Sequence, residues 1–520
     1  MCVRSRKPTP SSLMAIATML CLLSCSGDRV AEAPAPPNIL LVVWDTVRAD
    51  HMSLHGHHRP TTPFVEEWAR QARVYDDALS TASTTVPSHA SIFTGLMPSE
   101  HGAGANHLEL ASKHHTLAEL LSEHGYQTYF YSANPHISST GNFAQGFDIE
   151  QHPWHPQLRK AAERIVRAKV EEMDPDGEIA RRLREGRVSR WIVNASGALA
   201  ERSLRGWLAN RDPERPWFAF INYMEAHRPL IPSREARLRM MSEDEMQRSY
   251  RVDRSWEPMW SYVFGYHDYT ADELALTAAT YDAALCELDA LFRGLITGLE
   301  EDGALDDTVI VLTADHGEHL GEHRLLDHQF SLYDGLIRVP LVLSAPGRLE
   351  PGRDPRPVST HDLFPTLLEL AGVPVSASPA PGPRSLLDPL PARARLSEML
   401  VPFEGPLRMM RRKAPDFGAA PWRRQLRALT EGGHKLIWAS DQRHELYDRE
   451  HDPDEARNLY VEQPARSAAL ERTLAEMVDR LATSRVPGEQ MRLSREERDR
   501  LEALGYLDPE RDPGLGGEGR

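Results

Sequence analysis

The sequence predicts an α/β protein built on a large, mostly parallel sheet flanked by helices. Two observations carry this. Near-continuous apolar runs at 38–44, 126–131, 216–223 and 308–313 alternate with stretches of helical spacing. Such runs suit strands covered on both faces. Each run also leads into a polar residue: Asp45, Asn134, His227 and the pair Asp315-His316. Strand ends in one parallel sheet share an edge, and open α/β sheets bind ligands there. A length of 520 residues, 41% hydrophobic and 26% charged, fits a soluble globular protein. The net charge of −16 argues against a nucleic-acid partner.

The N-terminus reads as an export signal over 1–24. Arg4, Arg6 and Lys7 precede the apolar run Leu13 to Leu23, which is too short to span a bilayer. Leu22-Leu23-Ser24-Cys25 resembles a bacterial lipoprotein box, so Cys25 is expected to carry lipid. Ser26 after it points to the outer membrane. Residues 25–37 are small, polar and Pro-rich, as in a tether. The expected location is therefore the bacterial cell envelope, with a lipid anchor in the membrane. Cys286 is the one thiol of the folded body, which leaves no disulfide framework.

Asn38 to Trp44 is the first strand, and Asp45 at its end is equally a ligand or a turn residue. Pro60 to Ala78 reads as a turn followed by an amphipathic helix. In Thr84 to Gly95, Pro87 suits the first turn of a helix over 88–93, and Gly95 can end it. The Thr85 hydroxyl, just before that helix, would face free N–H groups and the positive dipole end, a site suited to an anionic ester. A plain helix cap fits those residues as well. A helix over 117–124 and a strand over 126–131 follow, leading to Asn134. Residues 158–210, rich in Arg, Glu and Ala, read as a helical insertion. The strand over 216–223 runs into His227. Residues 242–266 read as a lid or loop whose aromatics Trp256, Trp260, Tyr262 and Tyr266 line the substrate or sit in the core. Thr270 to Glu300 is a long helix. The strand over 308–313 ends in Asp315-His316-Gly317-Glu318, a strong metal-ligand signal where other carboxylates converge. A strand over 339–343 and a Pro-rich boundary over 373–383 follow. Ser494 to Glu497 is a capping box opening a last helix, and 508–520 reads as a disordered tail.

Thr85, Pro87, Ser88, Thr94 and Gly95 fall in register with the signature of the sulfatase branch of the alkaline-phosphatase-like superfamily, which the chain resembles over roughly 38–460. There are departures. Thr85 stands where sulfatases carry the Cys or Ser that becomes formylglycine. His89 stands where they carry Arg, and Thr46 where many carry a second Asp. The resemblance implies an alkaline-phosphatase-like catalytic domain over 38–372. It also implies a small C-terminal sheet-plus-helix subdomain over 384–507, with strands at 435–438 and 444–448. It assigns Asp45, Thr85, Asp315 and His316 to a divalent metal, Thr85 and His227 to catalysis, and His89, Asn134 and His328 to substrate. This mixed oxygen and nitrogen set suits Zn or Mn, with Ca or Mg possible.

Thr85 also bears on the substrate. Oxidised Thr would be a ketone, so the formylglycine route off sulfate is closed to it. A phospho-threonine can be hydrolysed by water or passed to an alcohol. The expectation is an ester hydrolase for small anionic esters or envelope glycans and lipids, phosphate esters favoured over sulfate esters. The alternative is a phospho-group transferase acting on envelope lipids or glycans.

Overall fold

Strand β1 (Asn38–Trp44) alternates its side chains between two packed layers. Leu40, Val42 and Trp44 enter one core, and Ile39, Leu41 and Val43 enter the other. A strand buried on both faces has no position for a polar side chain, which is why its sequence is an unbroken apolar run. The computed structural model describes residues 35–104, 107–173, 192–374, 382–389 and 391–482. From residue 36 onward the described residues belong to one compact unit.

The large sheet adds β2 (Arg73–Leu79), β3 (Gln127–Ser132), β4 (Ile149–Gln151), β5 (Trp217–Tyr223) and β6 (Thr308–Ala314). A small ribbon of β7 (His319–Leu320) and β8 (Leu326–Asp327) leaves its edge. The sheet is completed by β9 (Leu341–Ser344) and β10 (Gly352–Ser359). The strand order is β10-β2-β9-β6-β1-β5-β3-β4, and only β9 runs antiparallel to its neighbours. In register, Trp44 pairs with Tyr223 on one side and Ala314 on the other, while Ser132 pairs with Asn222. That register brings Asp45, Asp315 and the turn carrying Asn134 to one level at the carboxyl edge.

Helices cover both faces. The long helix Ala271–Glu301 opens with a capping box, Thr270 with Glu273, and packs Tyr281, Leu285, Leu288 and Phe292 under β1. Helices Pro156–Met173 and Ala198–Leu208 bury Val166, Val170, Leu199 and Leu204 in the same layer. The helices Thr85–Thr94, Leu117–Glu123 and Leu363–Leu370 cover the other face.

The C-terminal sheet is antiparallel, in the order β11 (Arg395–Met399), β12 (Leu426–Glu431), β13 (His434–Ala439), β14 (Glu445–Asp448). Helix Pro464–Ala482 packs Leu470, Leu474 and Met477 onto its Leu429, Leu436 and Leu446. The other side meets Leu332, Leu336 and Ile337. Lys435, fully buried, joins the two parts by bonding the Leu332 carbonyl at 2.9 Å and Asp334 at 2.8 Å, and it pairs with Glu455.

The structure differs from the sequence expectations in three places. The stretch 60–78 is not one long helix: helix Pro63–Trp68 stops and β2 begins. The polar Asp76 and Asp77 obscure that strand, and their charges are met by Arg353, Arg395 and Arg449. The helix after Thr84 starts at Thr85 rather than Ser88, so the hydroxyl lies inside its first turn. Residues 242–266 form two short helices, Glu243–Ser249 and Trp256–Val263, rather than a lid. Trp260 is buried there against Phe330, two residues after His328, so it backs the segment that carries His328, while Tyr266 is exposed. The leader, Cys25, the last helix over 494–504 and the tail lie outside the described residues.

Candidate active site

Asp45 leaves β1 with its backbone N–H on the Tyr223 carbonyl at 2.9 Å. Its Oδ2 accepts from the Asn134 amide at 2.7 Å, and its Oδ1 is buried without a hydrogen-bond partner. Asp315 leaves β6 alongside it. Its Oδ1 accepts from the N–H groups of Thr46 at 3.1 Å and His316 at 2.8 Å, and its Oδ2 is buried without a partner. Burial pushes both carboxyls up to about 7, and the Asp315 charge adds to the effect at Asp45.

Thr46 takes the place of a second carboxylate. It holds φ +61, an unusual backbone for a β-branched residue. Its hydroxyl donates to the Asp45 carbonyl at 2.7 Å, and the Tyr281 hydroxyl donates to its own carbonyl at 2.7 Å. These bonds hold a strained turn that aims an N–H at Asp315. Tyr281 reads in the sequence as a core residue of the long helix; its hydroxyl is what ties that helix to the site.

Thr85 presents its Oγ1 to His316 Nε2 at 3.1 Å. The His316 Nδ1 lies 2.9 Å from the Gly317 carbonyl. A carbonyl only accepts, so Nδ1 carries the proton and Nε2 turns its lone pair toward Thr85. Burial lowers the His316 pKa to about 4, which keeps the ring neutral. Gly95 closes the helix at φ +72, where a Cβ would lie 2.9 Å from Phe364 Cδ1. That position needs glycine on both counts.

The remaining expected residues gather around this centre, in roles the sequence does not separate. His89 is fully buried, edge-on to Phe93 and Phe220, and its Nδ1 donates to the Thr85 carbonyl at 3.0 Å. Burial lowers its pKa to about 3, so it carries no charge like that of the Arg it replaces. Asn134 spends its amide on Asp45 and its carbonyl on the His136 N–H. The His227 Nδ1 lies 2.6 Å from the Arg228 carbonyl, and its ring sits 5.3 Å from that of His328. His328 lies 4.6 Å from His316, ring to ring. Its Nδ1 is held by Asp327 at 3.0 Å and Glu318 at 3.2 Å.

Three further residues of the site, Glu318, Asp327 and Arg228, do not stand out as such in the sequence, although Glu318 ends the Asp-His-Gly-Glu motif and Asp327 adjoins His328. Asp327 is ion-paired to Arg228, which pulls its pKa down to about 2. Glu318 goes the other way, well above the carboxylate range, through burial and then the Asp327 charge.

Among the described residues, three groups of side chains bring atoms able to bind a metal within 4.8 Å of one another: Asp45, Asp315 and His316; Glu318, Asp327 and His328; His51, His57 and Asp282. Asp327 and Asp282 already carry arginine partners, Arg228 and Arg59. The Asp45 group has none. It holds two buried carboxylate oxygens without hydrogen bonds, beside neutral imidazoles. A buried charge left in that state costs several kcal/mol or more. This donor set fits a divalent cation. A cavity of about 1160 Å³ is lined by residues such as Asp77, Arg395 and Arg449, not by this group.

Fold and site together define an α/β enzyme with a hydroxyl set beside a cluster of metal-binding groups. The sulfatase family profile matches residues 37–373, and the chain belongs to that family. It is a sulfatase-like ester hydrolase. The choline-sulfatase of Rhizobium meliloti is 26% identical over 455 residues, covering 81% of this chain and 82% of its own. The arylsulfatase K of Gallus gallus is 24% identical over 485 residues, covering 88% and 85%. Among solved structures, the phosphonate monoester hydrolase of Agrobacterium radiobacter superposes with a TM-score of 0.66 at 20% identity, over 86% of this chain and 96% of its own. That likeness shows the fold. Metal dependence is general in the family.

Proposed function

We propose that the protein hydrolyses phosphate esters in preference to sulfate esters, with Thr85 as nucleophile. The observation that carries this is the 3.1 Å approach of Thr85 Oγ1 to the lone pair of His316, beside two uncompensated carboxylates. Asp45, Asp315, His316 and Thr85 would hold a divalent cation, Zn or Mn by their mixed donors. When bound, it favours the alkoxide form of Thr85 and offsets charge on the transferred group.

The chain's own residues do the rest. His89 holds the Thr85 carbonyl and Asn134 orients Asp45, so both position the site. Thr85 Oγ forms a bond to phosphorus as the bond to the leaving oxygen breaks, and the Thr85 proton passes to that oxygen; when water then attacks phosphorus, a proton returns to Thr85 Oγ as phosphate leaves. His227, whose Nδ1–H is taken by the Arg228 carbonyl, offers Nε2 to accept a proton from the water that then hydrolyses phospho-Thr85. His328, held by Asp327 and Glu318, faces the same side and contacts the ester. A sulfo-threonine lacks the aldehyde route that serves formylglycine, which supports phosphate. The solved phosphonate monoester hydrolase shares the fold, while the choline-sulfatase and arylsulfatase K relatives are named for sulfate esters.

Among the described residues no helix is long and apolar enough to cross a membrane. We place the enzyme in the cell envelope, held by lipid on Cys25; a mature N-terminus without acyl mass would refute this.

Thr85→Ala should abolish turnover with the fold intact. A matched panel of phosphate monoesters, phosphodiesters and sulfate esters should show phosphate turned over faster, with activity lost to a chelator and restored by Zn or Mn. Near-normal activity in Thr85→Ala sinks the nucleophile. Sulfate preferred over every phosphate sinks the substrate assignment. Turnover that depends on an added alcohol acceptor would make the protein a transferase.

A further inference from the structure

Arg237 is 1% exposed, yet it makes no ion pair among the described residues. It donates to the hydroxyls of Ser249 at 2.9 Å and Thr280 at 3.3 Å, lies over the Tyr250 ring, and has a buried Nε with no acceptor. Arg254 makes no ion pair either. It donates weakly to the Ser249 carbonyl at 3.4 Å, and its Nη1 is buried with no acceptor. Burial pushes both guanidinium groups down, Arg237 to about 9 and Arg254 to about 10, and the Arg254 charge adds to the effect at Arg237. Both still carry their charge at neutral pH. A buried cation without a counter-charge is costly, and proteins keep such groups where a ligand supplies the charge.

Both arginines line one cavity of about 400 Å³. Its lining also includes Ala226, Arg228, Glu318 and Asp327, which lie within two residues of His227, His316 and His328 in the chain. The cavity therefore adjoins the site. Its acids have other partners or face solvent: Asp327 is taken by Arg228, Glu318 meets the His328 ring at 3.2 Å, and Asp253 is exposed.

We propose that this cavity is a second anion subsite, in which Arg237 and Arg254 hold a carboxylate, sulfate or phosphate on the far part of the substrate. The inference deepens the reading of Thr85 and the Asp45 group as the reacting site and rests on it. It names the substrate class: an ester whose leaving group carries a further negative charge. Guanidinium groups suit these anions because their N–H forks match paired oxygens.

Isothermal titration of the metal-loaded protein tests it, using a graded series of α,ω-alkanedisulfonates against alkanesulfonates of the same length. The best disulfonate should bind about tenfold tighter or more than its monosulfonate. Arg254→Gln and Arg237→Gln should each remove most of that advantage. Arg254 is only partly buried, so its variant decides the matter should Arg237→Gln fail to fold. A series with no disulfonate advantage overturns the subsite, as does an advantage retained in Arg254→Gln. Inorganic sulfate provides a third arm: a second equivalent lost in Arg254→Gln, without a disulfonate advantage, would assign the cavity to a free anion instead. The titration needs no turnover. An active Thr85→Ala would refute the nucleophile and leave this result standing, and a flat series would refute the subsite alone.

Discussion

Replacing Asn134 by Leu keeps the side-chain volume and removes its polar groups. In the structure Asn134 does not reach outward; its amide donates to Asp45 Oδ2 at 2.7 Å and its carbonyl accepts from His136. The variant therefore strips an orienting bond from a carboxylate of the proposed metal site. Loss of such a partner typically costs 10- to 100-fold in metal affinity, about 1.4 to 2.8 kcal/mol. The buried His136 N–H loses its acceptor, which adds about 1 to 3 kcal/mol of lost stability. Calorimetric titration of metal-free protein with Mn or Zn reads the first quantity, and urea unfolding reads the second. Should Asn134 contact the substrate instead, KM would rise while metal affinity stayed at its wild-type value. That pattern, in folded protein, would refute the reasoning.

Three further outcomes test the framework that holds the site. Lys435→Met leaves Glu455 buried without its cation and Asp334 with Arg449 alone, and should cost about 3 to 5 kcal/mol by urea unfolding; a change below about 1 kcal/mol would show the link to be dispensable. Gly95→Ala meets both a left-handed backbone and Phe364 at 2.9 Å, so a loss of about 2 kcal/mol or more is expected, and an unchanged melting temperature would contradict it. Arg395 and Arg449 hold the Asp77 carboxyl below the usual carboxylate range. A depressed folded pKa gives stability that is present above the unfolded value, about 3.9, and lost as pH falls below it. Asp77→Asn should therefore flatten the acid limb of the stability curve below about pH 4, and an unchanged limb would rule the pair out as its cause.

The strands and the candidate site are local enough to be written in the chain. A strand packed on both faces must be apolar throughout, so β1, β3, β5 and β6 stand out as runs, and the residues just past them mark the sheet edge. Asp45, Thr85, Asp315 and His316 are legible for that reason. β2 is not, because Asp76 and Asp77 break its apolar pattern and are neutralised only by arginines hundreds of residues away. The roles of the surrounding side chains are equally hidden. In sequence His89 is a substitute for a cationic Arg; in the fold, aromatic packing strips its charge and turns it onto the Thr85 backbone. Asn134 could face a substrate until the register of β3 against β5 sets it beside Asp45. Arg237 and Arg254 belong, in sequence, to an ordinary charged stretch. Only burial leaves their N–H groups without acceptors, since desolvation and distance between remote segments are properties of the packed chain and of no single segment within it.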